Sequence, residues 1–401
     1  MPRQPFIPQT PASASQVDAV QLVDGILAAA LARGASDVHI EPTAAGAEVR
    51  FRVDGLLQVF SRHDRNAGRC LVTRLMVMAQ LLTYRLDIPQ EGRLRIHVPG
   101  TEHTPAVGSG DSAPVHPAMC PLEMRLSIMP TTHGLRAAVR MPAELIQPRS
   151  LEELGLPLPV LCGLKSFAVA DSGMLLVTGP AGAGKTTTIY ALLDLIVRSN
   201  PGVSIVAIED PVERDIPGVT QIQVSPFGQL TYERALRSVV RQDPQVLMLG
   251  EIRDAATASL AAQAALSGHR LICTMHAGTP GGAIARLLEM GLEPYRITST
   301  LFGVISQRLL RKLNTEASGN GSGREIRHYR GRVPAAEFVP LSAALRRAIL
   351  AGADAAELQR LAAAQPGHVS LRNSADALVT QGLTDIDEVN RALGPKDQVE
   401  Q

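Results

Sequence analysis

The sequence predicts an α/β protein in which a smaller α+β domain precedes a parallel-sheet domain and a helical C-terminal module follows it. Apolar runs of strand length alternate with helical stretches between residues 171 and 313, a rhythm typical of βαβ units. Residues 17–141 instead combine alternating apolar and polar runs with helical patterns, as half-buried strands and their helices do. Residues 314–401 contain helical patterns after a polar, glycine-rich segment.

Composition narrows the class of protein. The chain has 401 residues, enough for two or three domains, and 39 basic against 38 acidic residues, so no global field favours nucleic acid. Cys70, Cys120, Cys162 and Cys273 lack C-x-x-C spacing, which favours free or buried thiols in a reducing compartment over disulfides. Neither a signal peptide nor an 18-residue apolar run occurs, and we therefore expect a cytoplasmic protein.

In the first domain, residues 1–16 are predicted to be a disordered arm because they are rich in Pro, Ser and Gln. The patterns then predict a helix over 17–33, strands over 37–41, 47–53 and 56–59, a helix over 67–82, and strands over 93–98 and 123–128. The Pro/Gly/Ser-rich segment 99–121 is predicted to be an exposed insertion, and residues 135–141 close the domain.

A proline-rich linker is predicted over residues 142–170, with one helical turn at 151–154. The second domain, 171–313, follows with strands over 174–178, 203–208, 245–249 and 270–274 and helices over 185–198, 231–242 and 255–267. The tail, 314–401, is predicted to be all-helical, with helices over 340–351, 355–364 and 371–381. A parallel sheet of this kind binds its ligands at the carboxyl ends of its strands.

One such strand end carries the most informative motif. Gly179–Thr186 fits the phosphate-loop pattern G-x-x-x-x-G-K-[ST] between a predicted strand and a predicted helix. Glycines let the backbone approach a polyphosphate, Lys185 neutralises β/γ-phosphate charge, and the Thr186 hydroxyl is a candidate Mg²⁺ ligand. The residues predicted to bind ATP are Gly179, Pro180, Ala181, Gly182, Ala183, Gly184, Lys185, Thr186 and Thr187.

Three later strands end in residues that ATP hydrolysis requires, Glu209, Glu251 and His276. Singly, each has a structural explanation, as a solvated loop acid or as a core histidine. Three such strand ends after one phosphate loop favour catalytic roles instead. The expected roles are carboxylates beside the metal, a water-orienting acid and a γ-phosphate sensor. The second run ends in Gly250-Glu251 rather than in Asp, which predicts that Glu251 reaches Mg²⁺ through water.

Together these residues resemble the type II secretion and type IV pilus ATPase family, the GspE/PilB-like traffic ATPases. The phosphate loop, aspartate box, Walker B segment and histidine box of that family are similar to residues 179–186, 208–213, 249–254 and 268–276. Residues 35–42, 49–55, 125–130, 133–134 and 139–140 resemble its N-terminal subdomain, and 331–338 its C-terminal G-R-x-x-x-x-E segment.

The resemblance implies a RecA-like ATPase domain after a PAS-like domain, in a homohexamer that binds ATP between the two. It implies that Glu209 is the catalytic base, that Glu251 supports Mg²⁺ and water, and that His276 senses the γ-phosphate. Arginines of the family that reach the phosphates match Arg125, Arg140, Arg237 and Arg241, the last two being predicted on one helical face. The implied partner is an inner-membrane platform protein, contacted from the cytoplasmic face.

The chain also departs from the family. Many members carry a four-cysteine zinc module after the nucleotide domain, whereas 314–324 contains no cysteine, so no zinc is predicted. Many members have an extra N-terminal docking domain, and this chain begins almost directly at the ring subdomain, which predicts that the usual membrane anchor is absent. Segment 99–121 is longer than the corresponding hairpin loop of the family.

Three other functions compete with a motor for secretion or pilus assembly. A retraction motor of the same superfamily is the nearest rival, although its C-terminal A-I-R-x-x-I-R-E motif is not evident in residues 340–400. A ring-shaped nucleic-acid translocase is disfavoured by neutral charge and by aromatic residues that make up 3% of the chain. A non-hydrolysing structural ring is disfavoured because Lys185, Thr186 and the three strand-end residues are all present.

Overall fold

A computed structural model describes residues 18–99, 119–141, 150–225, 228–314 and 329–396. The chain forms two compact units, Met1–Ile146 and Gln147–Gln401. The predicted arm, 1–16, lies outside the described residues, and so does most of the predicted insertion, 99–121, and of the polar segment, 314–324.

The first unit contains a six-stranded antiparallel sheet in the order β3-β2-β1-β6-β5-β4. Its elements are α1 (Ala19–Ala32), β1 (Asp37–Thr43), β2 (Gly46–Val53), β3 (Leu56–His63), α2 (Arg65–Met78), β4 (Gln90–Pro99), β5 (Met119–Thr131) and β6 (Gly134–Arg140). Along β1, Val38 and Ile40 are buried while their neighbours are half-exposed, because successive strand residues point to opposite faces. Both helices pack against this buried face.

The second unit contains a seven-stranded sheet in the order β13-β12-β7-β11-β10-β8-β9. Its strands are β7 (Gly173–Thr178), β8 (Ile205–Glu209), β9 (Thr220–Gln223), β10 (Val246–Leu249), β11 (Arg270–Met275), β12 (Leu301–Leu313) and β13 (Tyr329–Pro340). Its helices are α3 (Leu158–Ala168), α4 (Lys185–Ser199), α5 (Tyr232–Val239), α6 (Ala255–Leu266), α7 (Pro280–Glu289), α8 (Pro294–Thr300), α9 (Ala343–Leu350), α10 (Ala355–Ala363), α11 (Leu371–Thr380) and α12 (Ile386–Leu393).

All neighbouring strands of this sheet are parallel except β12 and β13, which form an antiparallel hairpin. The central strands β7, β11, β10 and β8 are buried almost throughout, because helices cover both faces of the sheet. The predicted α/β fold, with a parallel sheet after a smaller α+β domain, is confirmed. It also places the loops after β7, β8, β10 and β11 at one edge of the sheet.

The sequence patterns predict an all-helical C-terminal tail, but the tail also contains a strand, β13. β13 extends the sheet beyond β12 over ten paired positions, and α9 and α10 share buried residues with the sheet core. Likewise, the predicted linker 142–170 contains α3, in which Gly163 lies against the Phe338 ring of β13. The prolines of this segment predict a linker, but Pro157 and Pro159 lie at the start of α3, where a missing N–H costs nothing.

Candidate active site

The phosphate loop joins β7 to α4 in the described structure. Gly184 is the residue before α4 and has φ 85°, in the left-handed region that favours glycine. No side chain caps the N-terminus of α4, so the N–H groups of its first turn remain available to an anion. The predicted strand, loop and helix therefore form a backbone cradle for phosphate groups.

Lys185 lies inside this cradle. Its Nζ donates hydrogen bonds to the carbonyl oxygens of Gly179, at 2.8 Å, and of Pro180, at 3.0 Å. Burial lowers the pKa of Lys185, while the Glu251 carboxylate opposes that shift and Arg308 adds to it. The phosphate loop therefore positions the Lys185 ammonium group. This group is close enough to the Glu251 carboxylate to interact with it electrostatically.

A cleft brings together two of the three strand-end residues, Glu209 and Glu251, but not His276. It is lined by Thr186, Glu209, Asp210, Pro211, Glu213, Tyr232, Met248, Gly250, Glu251 and Arg253. The predicted metal ligands, Thr186 and Glu251, and the predicted base, Glu209, therefore face one space. They come from α4, from the end of β8 and from the residues after β10, which the parallel sheet places at the same edge.

Glu209 is the last residue of β8 and is 3% exposed. The Tyr190 hydroxyl, on α4, donates to one carboxylate oxygen of Glu209. Gln221, on β9, donates from Nε2 to the other oxygen at 2.9 Å. Burial raises the pKa of Glu209, while these two hydrogen bonds oppose the rise because they stabilise the ionised form. The carboxylate is held in one orientation at the cleft.

Glu251 connects the cleft to the histidine box. Its Oε2 accepts a 2.7 Å hydrogen bond from Arg253 Nε, and its Oε1 lies 3.2 Å from His276 Nε2. The His276 backbone carbonyl is held by Arg286 Nη1 at 2.8 Å. Arg253 and His276 therefore contact the same Glu251 carboxylate, so a change at either residue affects the other through it.

The sequence matches a known family over most of the chain. Residues 13–107 and 114–391 match the family model described as type II/IV secretion system protein. The chain belongs to this family. The resemblance to GspE/PilB-like ATPases that the motifs indicated is thereby confirmed.

Individual relatives of the family cover nearly the whole chain. The chain is 35% identical over 381 residues to the type II secretion system protein HxcR of Pseudomonas aeruginosa, covering 93% of this chain and 76% of that protein. It is 33% identical over 408 residues to the type IV pilus assembly ATPase PilB of Thermus thermophilus, covering 95% of this chain and 43% of that longer protein. A crystal structure of the pilus retraction motor PilT with bound ADP is similar, with a TM-score of 0.62 and 26% identity, covering 94% of this chain and 98% of that one.

The sequence patterns did not predict several side chains that contact the carboxylates of this cleft. Tyr190 lies in the middle of α4 and Gln221 on a strand that no pattern predicted, so neither carried a local signal. Arg253 lies in the Walker B segment, but only the fold shows that it contacts Glu251. The Tyr232 hydroxyl would lie 2.5 Å from a Cβ at Gly250, which explains why glycine precedes Glu251.

Arg125 and Arg140 lie directly opposite each other in the β5–β6 ladder of the first unit. Both are exposed, and neither forms an ion pair with any residue that the structure describes. Facing guanidinium groups repel each other, so this pair is suited to an anion. Their roles remain predictions, because the cleft described above belongs to the second unit.

Arg237 and Arg241, predicted on one helical face, lie in two consecutive helical segments. α5 ends at Val239, and Arg241 lies in the 3₁₀ turn Val240–Gln242 that follows. Asp243 then adopts φ 53°, which turns the chain into β10. Arg237 pairs with Glu233 at 2.8 Å, and neither arginine lines the cleft. Their contact with phosphate remains a prediction.

Among the described residues, no group of three or more His, Cys, Asp or Glu side chains is placed to hold a metal ion. The donors that line the cleft, a Thr186 hydroxyl and carboxylates, suit Mg²⁺ bound largely through substrate phosphates and water. The helices in the described part of the chain include none with the length and apolar character needed to cross a membrane.

Proposed function

We propose that this chain is the ATPase subunit of a homohexameric motor for type II secretion or type IV pilus assembly. In this proposal it hydrolyses ATP to ADP and phosphate at the cytoplasmic face of an inner membrane and acts on a platform protein there. The observation that carries the proposal is the convergence of Thr186, Glu209 and Glu251 on one cleft beside Lys185. The relatives named above as secretion proteins and pilus ATPases support it.

The arrangement supports a division of roles in hydrolysis. Lys185 and the α4 amides bind the β- and γ-phosphates. Thr186 would hold Mg²⁺ directly and Glu251 would hold it through water, and the ion would supply positive charge that neutralises the phosphates. Glu209 accepts a proton from the attacking water, a task that suits a carboxylate whose pKa burial has raised. His276, linked to Glu251, senses the γ-phosphate.

In the hexamer, arginines complete the site. We assign Arg125 and Arg140 to the phosphates because they form an exposed cationic pair without an ion-pair partner among the described residues. A guanidinium stays charged and donates two parallel hydrogen bonds to phosphate oxygens. Arg237 and Arg241 are assigned to the same task on the family resemblance alone.

Lys185→Ala and Glu209→Gln test the hydrolytic site. Lys185→Ala should abolish ATP turnover, and Glu209→Gln should retain bound ATP while turnover falls at least about a hundredfold, since the base is removed. Lys165→Ala is the matched control, because Lys165 pairs with Glu152 on the surface and should leave turnover unchanged. Phosphate release and nucleotide retention measure both effects. Normal turnover in Lys185→Ala would refute the site.

A retraction motor is the second candidate, favoured by the structural similarity to PilT. Loss of the gene should prevent secretion or pilus formation if the motor drives assembly. Accumulation of surface pili in the same strain would instead establish retraction. Single-stranded DNA should leave ATP turnover unchanged, and clear stimulation would favour a nucleic-acid translocase over both.

A further inference from the structure

Gln307, on β12, lies directly under the phosphate loop. β12 runs parallel to β7, with Ser306 paired to Thr178. β7 ends at Thr178 and the loop begins at Gly179, so Gln307 is the first β12 residue beyond the pairing of β12 with β7. Its side chain is 2% exposed, and burying an amide costs free energy unless its polar atoms find partners.

Both polar atoms of this amide contact the nucleotide-binding segment. Nε2 donates to the Ala183 carbonyl at 2.9 Å, and Oε1 accepts from the Thr188 hydroxyl at 2.8 Å. Ala183 belongs to the loop, and Thr188 lies in the first turn of α4, where it is 1% exposed. The amide therefore joins the loop to the helix whose N-terminus binds phosphate.

Two glycines of the loop approach the same residue closely. A Cβ at Gly179 would lie 2.5 Å from the Gln307 carbonyl oxygen, and a Cβ at Gly184 would lie 2.8 Å from Gln307 Nε2. Both distances are far shorter than an ordinary contact. The Gly179 contact is with the backbone of β12, whereas the Gly184 contact is with the Gln307 amide itself, so a side chain at Gly184 would displace that amide.

The geometry points to Gln307 as a positioning residue that sets the conformation of the phosphate loop from β12. It contacts no reacting atom and acts through Ala183 and Thr188. This role rests on the proposed function, because a loop held in its binding shape has value only if the chain binds nucleotide. Preorganisation of the backbone lowers the cost of binding, so loss of the amide should weaken nucleotide affinity more than catalysis.

Gln307→Met tests this role because it keeps length and volume while leaving the Ala183 carbonyl and the Thr188 hydroxyl unpaired. We expect the Kd of the full-length protein for fluorescent Mg·ADP, and its KM for ATP, to rise about tenfold. We expect kcat at saturating ATP to stay within about threefold of wild type. Ser306→Ala is the matched control. Ser306 is the buried neighbour of Gln307 and contacts Thr178 rather than the loop. The Kd of the Ser306→Ala protein should therefore stay within about twofold of wild type.

Thr188→Val is the second variant, in case Gln307→Met fails to fold. It removes one of the two contacts while keeping the branched shape, and should raise the Kd about threefold. Unchanged affinity in the folded Gln307 variant, or in Thr188→Val if the former fails to fold, would overturn the role. An equal loss of affinity in Ser306→Ala would do the same. If wild type binds neither ADP nor ATP, the proposed function itself fails, whatever the variants do.

Discussion

At the residue scale, the surroundings of Glu209 decide whether its carboxylate can act as a base. Burial raises the pKa of Glu209, and the hydrogen bonds from Tyr190 and Gln221 oppose that rise. Tyr190 also accepts a hydrogen bond from the Glu213 amide at 3.3 Å, which fixes the hydroxyl. The pKa of Glu209 is therefore set first by its burial and then by side chains from α4 and β9.

Tyr190→Phe should move the acid limb of the pH profile of kcat/KM to higher pH. The variant removes a hydrogen bond that favours the ionised carboxylate, so the pKa of Glu209 rises further above its ordinary value. A base that must be ionised then loses activity at a higher pH, by about one pH unit. Tyr295→Phe, on the surface at α8, is the control. An unmoved limb, or one moved to lower pH, would contradict the role of Glu209 as base.

At the element scale, α10 docks on α7 through close backbone contact. A Cβ at Gly281 of α7 would lie 2.5 Å from the Gln359 amide nitrogen and 2.8 Å from the Ala355 carbonyl oxygen of α10. Gln359 Oε1 in turn accepts from the Gly281 amide at 2.9 Å. These contacts attach the C-terminal helices to the helix that follows the histidine box.

Gly281→Ala should therefore destabilise the second unit by about 1–3 kcal/mol, because the new methyl group meets backbone rather than a mobile side chain. Gly25→Ala is the matched helical control: nothing lies within 4 Å of its Cβ, and we expect about 0.5–1 kcal/mol of stabilisation. Urea unfolding midpoints measure both changes. A neutral Gly281→Ala would mean that α10 does not pack as described.

At the scale of the whole molecule, two arginines of the first unit provide a test of the proposed hexamer. Arg140 is exposed and forms no ion pair with a described residue, whereas Arg136 on the same strand is paired with Glu41 at 2.8 Å. Arg136 is thus occupied within its own unit, whereas Arg140 is available to an anion, which in the proposed hexamer is a phosphate of the bound nucleotide.

Arg140→Ala should lower ATP hydrolysis by the assembled protein at least about tenfold, since it removes a charge that stabilises the transition state. Nucleotide affinity of isolated protomers should stay unchanged. Arg136→Ala is the control from the same strand and should retain turnover. Sedimentation verifies assembly, and equilibrium binding of fluorescent ADP measures affinity. A collapse of affinity in isolated Arg140→Ala protomers would show that the arginine does not act across subunits.

Part of this protein could be predicted from sequence because its signals are local. The phosphate loop, its flanking strand and its helix are contiguous, so glycine spacing and apolar runs were enough to predict them. Glu209 ends an apolar strand, and Glu251 and His276 lie within two residues of the end of one. Parallel strands bring such ends to one edge. The family resemblance followed from these ordered segments.

The rest required tertiary structure because its signals are distant in sequence. β13 pairs with β12 across residues that no local pattern connects, and α3 packs on β13 although its prolines resemble a linker. Tyr190, Gln221 and Gln307 meet the site from the middle of elements, through hydrogen bonds that side-chain identity alone does not predict. The sequence by itself determined the phosphate-loop pattern and the strand-end residues that we propose bind and hydrolyse a nucleotide. Only the packing of the sheet and its helices decided which side chains hold those residues in place.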